Sequence, residues 1–361
     1  MLTYTFKIKT SSKLIQKIEN HLNITRLVYN LSKDVREYAY SKGVKLSKFD
    51  LIKQLPELKS EFKWISDVHS QTLQGVIERL EKGYDKFFSD LKKNTKTSKP
   101  KWAKKKNWKS VEFKSSAVKS KETYFEISKI GKIKYFKSRE IQGNIKLARI
   151  IKESDGYYIQ IVTDHIKPKS DKQTFVGIDM GIKYFTVTSD GEFIDNPKHL
   201  FKYLDQLRIE NRKLSRMKKG GSNFRKQVQI LQKLYLKISR TRKDFLHKSS
   251  YLLSKKYGTI IREDLNILKM VQSKSNLSKH ILDCSLGLFF EMLEYKTNVH
   301  RINPAYTSQT CSSCGHVDSQ NRRTQSHFEC VRCGHTENAD LQASKNILEL
   351  GHQLMEANVD H

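Results

Sequence analysis

Two pairs of cysteines near the C-terminus constrain the fold more than any other feature of this chain. Cys311 and Cys314 form one C-x-x-C pair, and Cys330 and Cys333 form a second pair after fifteen intervening residues. This spacing is typical of a single tetrahedral zinc site. Because four thiolates leave no open coordination position, we predict one structural zinc ion.

The cysteine count also bears on the cellular compartment. Four of the five cysteines belong to these pairs, and Cys284 stands alone. The pattern indicates metal binding and not a disulfide framework, so we expect the protein to act in the reducing cytoplasm.

The charge of the chain restricts what it can bind. Its 361 residues include 68 Lys and Arg against 38 Asp and Glu, a formal net charge of +30 that is spread over the whole length. Nucleic acid satisfies such a charge best, because neutralising its phosphates releases condensed counterions. A membrane surface is the weaker alternative, since no apolar run approaches the ~18 to 20 residues that a membrane span requires.

The first half of the sequence predicts a helical lobe and a set of antiparallel strands. Residues 4–8 alternate like a strand, and apolar residues then recur at helical spacing from a cap at Ser11 or Ser12 as far as residue 93. Residues 94–109 are polar and basic, which predicts an exposed connection. Short alternating stretches as far as residue 162 predict an antiparallel barrel or sandwich that the first strand joins.

The second half predicts a mixture of strands and helices that begins after a hydrophilic hinge at residues 165–173. In chain order we expect two strands within 175–187 joined by a tight turn through Gly181, a basic helical pair over 198–257 broken at Gly220 and Gly221, a strand at 259–262, a helix at 284–296, and a helix at 339–350.

Three acidic residues stand at the ends of predicted elements in this half. Asp179 and Glu263 each end an apolar strand, and Asp340 lies in the first turn of an amphipathic helix. Taken singly, each has a structural explanation, as a turn residue, a solvated strand end or a helix N-cap. A nuclease, however, needs carboxylates that converge on Mg²⁺, which prefers hard oxygen ligands. The joint pattern of the acids, the basic helical pair and the cysteines favours a nuclease site.

Two neighbouring acids compete for these roles. Adjacent strand residues point to opposite faces, so only one of Glu263 and Asp264 is expected to enter the site, and we choose Glu263. Glu337 is the weaker competitor of Asp340.

Four segments carry a family resemblance. They are Gly-Ile-Asp-Met-Gly-Ile-Lys at 177–183, Arg-Glu-Asp-Leu-Asn-Ile at 262–267, Thr-Ser-Gln-Thr-Cys-Ser-Ser-Cys-Gly at 307–315 and Asn-Ala-Asp-Leu-Gln-Ala-Ser-Lys-Asn-Ile at 338–347. With them the chain resembles TnpB, the RNA-guided nucleases of IS200/IS605 and IS607 type insertion sequences, which are related to compact Cas12 effectors. The resemblance covers the C-terminal half strongly and the N-terminal half mainly through the order of its parts.

The resemblance implies an α+β multidomain fold in four parts. These are a wedge-like antiparallel β-barrel at 1–10 and 94–170, a helical recognition lobe at 11–93, an RNase H-like RuvC nuclease domain at 171–306 and 336–361, and a zinc-ribbon insert at 307–335 that binds target nucleic acid. In this family an Asp, a Glu and an Asp bind two magnesium ions, which maps onto Asp179, Glu263 and Asp340.

The resemblance also implies partners. Similar proteins use a guide RNA derived from the transposon end and cut double-stranded target DNA next to a short motif that the protein reads, while base pairing reads the rest. We expect a monomer in complex with RNA that acts on the nucleoid of a bacterium or archaeon. Gln71 and Gln74 lie on a helix that in the family is near the adjacent-motif duplex, and could read base edges.

The exposed connection supplies further candidate contacts with nucleic acid. Its lysines could hold phosphates and its tryptophan could stack on a base. The residues concerned are Lys101, Trp102, Lys104, Lys105 and Lys106.

Three other functions stay open at this point. They are a nuclease-inactive RNA-guided DNA-binding repressor, a DNA transposase with an RNase H-like fold, and a zinc-ribbon nucleic-acid binder without catalysis. The three acids argue against the first and the third. Strand transfer needs the same carboxylates as cleavage, so only the family resemblance favours guided cleavage.

Overall fold

The structure, a computed structural model, describes residues 1–166, 168–170, 172–272 and 277–357. The chain divides into two compact units, and the boundary follows residue 166. This boundary falls in the hydrophilic segment that the sequence marks as a hinge. In the described part of the chain, every helix is too short or too polar to traverse a lipid bilayer.

The helices of the first unit form because apolar residues recur on one face. They are α1 (Ser12–Ser41), α2 (Lys48–Lys53), α3 (Leu55–Glu61) and α4 (Ser70–Lys92). The predicted cap at Ser11 is confirmed, since its side chain accepts a hydrogen bond from the backbone N–H of Leu14 at 3.3 Å. On α4 the stripe of Leu73, Ile77 and Leu80 is completely buried, which confirms the predicted helix. Its predicted apolar face is buried only in part, since Phe88 and Leu91 near the helix end are exposed.

The strands of the first unit form two antiparallel sheets. The strands are β1 (Leu2–Lys7), β2 (Ser110–Lys114), β3 (Val118–Ser120), β4 (Tyr124–Ile127), β5 (Gly131–Lys134), β6 (Ile145–Glu153) and β7 (Gly156–Thr163). One sheet has the order β1-β7-β6-β2 and the other the order β3-β4-β5. The first strand therefore joins the later strands, as predicted, with Phe6 paired to Ile159.

The described residues form no closed barrel, so of the predicted barrel or sandwich only the antiparallel pairing of the strands is confirmed. A short 3₁₀ turn at Ser115–Ala117 takes the chain out of the first sheet after β2, and β3, β4 and β5 span only three or four residues each. A β-bridge between Ile8 and Tyr135 connects the two sheets. They share one apolar core, in which Phe6, Phe113 and Phe125 are buried.

The second unit is built on a five-stranded mixed sheet of order β10-β9-β8-β11-β12. Its strands are β8 (Phe175–Asp179), β9 (Tyr184–Thr188), β10 (Phe193–Asp195), β11 (Thr259–Glu263) and β12 (Asn298–Ile302). Strands β8, β11 and β12 run parallel, and β9 is antiparallel to β8. Apolar side chains in the middle of β8 and β11, such as Val176, Ile178 and Ile260, are buried because helices cover these parallel strands.

The helices of the second unit are α5 (Leu204–Ser215), α6 (Ser222–Lys256), α7 (Ile267–Gln272), α8 (Ser278–Cys284), α9 (Leu286–Glu294) and α10 (Ala339–Ala357). The predicted break between α5 and α6 is confirmed. The helix predicted over 284–296 is confirmed in its main part by α9. Ser285, which adopts a left-handed conformation with φ of 52°, separates it from α8, which the sequence did not predict. Between β12 and α10 the cysteine segment adds a small hairpin of β13 (His327–Glu329) and β14 (Thr336–Asn338).

Candidate active site and zinc centre

Two of the predicted acids end neighbouring parallel strands. In the register of β8 and β11, Ile178 pairs with Arg262, and Asp179 and Glu263 are the residues that follow. The carboxyl ends of parallel neighbours lie at the same edge of a sheet. The strand pairing therefore puts both carboxylates at one edge, although the residues are far apart in the chain.

The third acid reaches this edge through the packing of α10. The backbone of α10 passes so close to β8 that a Cβ on Gly177 would lie 2.2 Å from the carbonyl oxygen of Ser344. Farther along, the ring of His352 contacts the ring of Phe175 at a centroid distance of 5.0 Å. The helix therefore runs antiparallel to β8, and its first turn, which carries Asp340, lies at the end of the strand that carries Asp179.

Asp340 is not the residue that caps this helix. The side-chain oxygen of Asn338 accepts hydrogen bonds from the backbone N–H groups of Asp340 at 3.0 Å and Leu341 at 3.2 Å. The carboxylate of Asp340 is thus left for another role.

The three carboxylates interact electrostatically. Burial, together with the negative charges of Glu263 and Asp340, raises the pKa of Asp179 to about 7. Burial also raises the pKa of Glu263 and that of Asp340. Such a group of buried like charges is costly for a folded protein without bound cations, and perturbed carboxylates of this kind are typical of functional sites.

Two further residues hold the acids, and sequence reasoning missed both. The hydroxyl of Thr307 donates a hydrogen bond to Glu263, and the guanidinium of Arg322 donates one to Asp340 at 3.3 Å. The positive charge of Arg322 lowers the pKa of all three acids against the effect of burial. Thr307 begins one of the segments that carry the family resemblance, but nothing in the sequence separates Arg322 from the other basic residues.

The competing acids have other environments. The side chain of Asp264 is 62% exposed and lies 3.7 Å from the guanidinium of Arg301. Glu337 forms an ion pair with Lys345. Glu263 and Asp264, the residue after β11, thus have different surroundings, since Glu263 contacts Thr307 and Asp264 contacts Arg301.

The four cysteines come together as one cluster. Their sulfur atoms all lie within 4.8 Å of one another, with 3.7 Å between Cys311 and Cys333 and 3.6 Å between Cys314 and Cys330. A tetrahedron of sulfurs around zinc at ~2.3 Å has edges of ~3.8 Å. The cluster therefore fits a zinc ion held by four thiolates.

Hydrogen bonds attach the cysteine segment between β12 and α10 to helix α10. Asn346 donates to the backbone oxygen of Thr307 at 2.8 Å and to that of Thr310 at 2.7 Å, and Gln342 donates to Thr310 at 3.0 Å. The segment that follows β12 and contains the cysteines therefore also positions Thr307 and Arg322 beside the acids.

The predicted nucleic-acid contacts all lie in the first unit. Gln71 and Gln74 are half-buried on α4, and Gln71 accepts a hydrogen bond from Ser116. The predicted lysines at 101 and 104–106 are exposed in the connection before β2. Trp102 is 48% exposed, and the ammonium of Lys33 lies 4.3 Å from its ring centre. These residues stay predicted contacts.

Comparison with known proteins finds relatives over most of the chain. A family model described as "Probable transposase" (OrfB_IS605) matches residues 158–274, and one described as "Cas12f1-like, TNB domain" matches residues 287–347. "Putative RNA-guided DNA endonuclease InsQ" of Escherichia coli (strain K12) is 30% identical over 318 residues, which cover 82% of this chain and 78% of that protein. A second relative, described as "Putative RNA-guided DNA endonuclease" of Streptomyces pristinaespiralis, is 26% identical over 96% of this chain and 89% of that protein.

Solved structures also resemble the chain. The "Cryo-EM structure of CasPhi-2 (Cas12j) bound to crRNA" matches with a TM-score of 0.43 at 12% identity, over 96% of this chain and 97% of that one.

Proposed function

Because the chain belongs to the TnpB family of RNA-guided DNA endonucleases, we propose that it hydrolyses phosphodiester bonds of target DNA at the edge of the sheet where β8 and β11 end. The observation that carries this proposal is the convergence of Asp179, Glu263 and Asp340 at one edge of the sheet, which follows from the register of β8 with β11 and from the packing of α10 against β8. The surrounding sheet and helices would form an RNase H-like RuvC domain.

The three acids would bind two Mg²⁺ ions. Such a pair of ions, ~3.5 to 4 Å apart, activates water and stabilises the leaving oxygen in phosphodiester hydrolysis. The donor set fits, because Mg²⁺ prefers carboxylate oxygens. In the described residues only the four cysteines form a group whose ligand atoms already lie together, so the three carboxylates would draw closer on binding the ions.

The protein residues around the acids have distinct tasks. The hydroxyl of Thr307 holds one oxygen of Glu263 and so fixes the orientation of this carboxylate. Arg322, held beside Asp340, places a guanidinium where the phosphate of the substrate would carry negative charge. Zinc bound by the four cysteines would fix the segment that presents both residues.

The partners follow from the family and the charge. A guide RNA derived from a transposon end and double-stranded target DNA are the polyanions that a net charge of +30 would bind. We assign residues 11–93 to target recognition, residues 1–10 and 94–170 to a wedge domain, and residues 307–335 to a zinc ribbon that contacts the target. Gln71 and Gln74 are proposed to read the adjacent motif.

The neighbouring acids Glu263 and Asp264 allow a sharp test. The purified protein with its bound RNA is given DNA that matches the RNA, with Mg²⁺ or with EDTA, and the rate of strand cleavage is measured. Glu263→Gln should lower the rate by at least ~100-fold because it removes a metal ligand. Asp264→Asn, one residue away but outside the site, should cleave like the wild type.

Both variants should bind RNA as the wild type does, because the change concerns the site alone. Equal cleavage by Glu263→Gln and the wild type, or undiminished cleavage in EDTA, would contradict the assignment.

Strand transfer is the second candidate, because one matching family model is described as a transposase. It uses the same acids but joins the DNA ends that it makes. In the same assay, hydrolysis leaves free ends and strand transfer leaves joined products.

A further inference from the structure

A cavity of about 620 Å³ lies in the first unit between α4, the segment before β2, and β6. Its volume falls within the ~300 to 1,000 Å³ of typical small-ligand sites. The proposed catalytic and zinc residues do not line it, and neither do the residues predicted above to contact nucleic acid.

The wall of this cavity contains an immobilised flat platform. The indole N–H of Trp108 donates a hydrogen bond to the hydroxyl of Thr25 at 3.0 Å, and the ring of Tyr29 packs against the indole at a centroid distance of 5.1 Å. The guanidinium of Arg79 lies 4.4 Å from the centre of an indole ring. Trp108 is buried, whereas Arg79 is exposed, so a planar guanidinium is held in place and remains accessible.

The same wall offers a polar group without a partner. Thr72 is 3% exposed and lines the cavity, and its hydroxyl makes no hydrogen bond within the described chain. The oxygen of this hydroxyl has almost no exposed surface, so a ligand reaches it only when the side chain turns toward the cavity. The cost of a buried polar group without a partner favours such a turn. Beside it, Gly75 leaves the cavity open, since a Cβ there would meet no atom within 4 Å.

The charges that line the cavity favour an anion. Two of its acids are neutralised, in the ion pairs Glu78–Lys114 at 3.0 Å and Glu112–Arg149 at 2.7 Å. The cations Arg79, Lys82 and Lys109 also line it and form no ion pair within the described part of the chain, against one such acid, Glu153. A phosphate at this position would meet a net positive surface.

We propose that this cavity holds one unstacked nucleotide of the bound nucleic acid. Its base would stack on the guanidinium of Arg79, a polar edge of the base would pair with the hydroxyl of Thr72, and Lys82 and Lys109 would contact its phosphate. Guanidinium planes and aromatic rings are the usual platforms for single bases, and cations hold their phosphates. This site rests on the proposed function, because its nucleotide would come from the guide RNA or from unwound target DNA.

Four variants of α4 test the site. Gly75→Leu would fill the cavity without a clash of its Cβ, and Arg79→Ala would remove the stacking plane. Gly75→Ala adds one methyl group as a control, and Lys86→Ala removes an exposed cation of α4 that does not line the cavity. Thermal unfolding verifies that each variant is folded, and Arg79→Ala alone suffices should Gly75→Leu not fold, because Arg79 is exposed.

The measurement is base-specific chemical probing of the complex between the protein and its co-purifying RNA. The complex is probed first without DNA and then after addition of a pre-melted DNA complementary to the RNA. One base that is protected in the wild type should become at least ~5-fold more reactive in Gly75→Leu and Arg79→Ala, and should stay protected in both controls. An effect in the RNA complex alone identifies the guide as the source, and an effect on a DNA base identifies the target.

Unchanged reactivity of every base in both complexes, with guided cleavage intact, would overturn the nucleotide site but not the proposed function. Absence of any bound RNA in the wild type would overturn both.

Discussion

At the scale of single residues, Asp179 shows that the grouped carboxylates lower the stability of the metal-free protein. Its carboxylate is buried beside Glu263 and Asp340, and both burial and these charges raise its pKa. Without cations the folded state must either hold these charges close together or bind a proton. A site of this kind lowers the stability of the folded protein, and the arrangement is kept because function requires it.

Asp179→Asn should therefore make the metal-free protein more stable. The amide keeps the shape of the side chain but removes one of three interacting charges, so we expect the free energy of unfolding in EDTA to rise by roughly 1 to 3 kcal/mol at pH 8. Chemical denaturation measures it. The gain should shrink when saturating Mg²⁺ is added, because the ions would stabilise only the wild type fully; a variant less stable than the wild type in EDTA would contradict this account.

At this scale the sequence predicted the acids but not their partners. Asp179, Glu263 and Asp340 could be selected because each stands at a predicted element end. Thr307 and Arg322 contact the acids only because tertiary packing brings them there. Nothing in the neighbouring sequence distinguishes Arg322 from the many other basic residues.

At the scale of elements, the contact of α10 with β8 holds the site together. Gly177 permits this contact, because any Cβ there would overlap the backbone of Ser344 and Leu348. The helix cannot move away without separating Asp340 from Asp179. The position of the third acid thus depends on a missing side chain in the neighbouring strand.

Gly177→Ala should destabilise the protein by about 3 kcal/mol, since the overlap is with backbone atoms that cannot rotate away. Gly287→Ala is the matched control in the same unit. Its Cβ would make only an ordinary contact at 3.8 Å with Ile267, and alanine favours the helix α9. Thermal and denaturant unfolding compare the two variants, and equal stability of Gly177→Ala and Gly287→Ala would show that α10 does not depend on this approach.

Helices and strands with a clear hydrophobic period were predictable from the sequence, whereas the way in which the strands assemble into sheets was not. The stripe on α4 and the apolar strands β8 and β11 follow from side-chain patterns alone. The short helix α8, which ends at the left-handed Ser285, was not predicted, because serine gives no helix-end signal comparable to glycine. Whether the strands form a barrel or a sandwich was left open, because alternating strands predict pairing but do not decide whether short strands close into a ring.

At the scale of the whole molecule, the net charge and the family both indicate that the protein binds nucleic acid. A chain with a net charge of +30 and relatives that span most of its length is expected to carry an RNA whose sequence chooses the DNA to be cut. Composition indicated the polyanion, whereas the guide and the adjacent motif are properties of the partners and have no trace in this chain.

Guided cleavage by the purified complex tests the central claim most directly. The RNA that co-purifies with the protein is sequenced, and two DNA libraries with randomised flanking sequence are prepared, one with a segment complementary to this RNA and one with that segment scrambled. The account predicts that Mg²⁺ produces free cut ends in the complementary library only, next to one shared flanking motif. Cleavage of both libraries alike, or of neither, would contradict it.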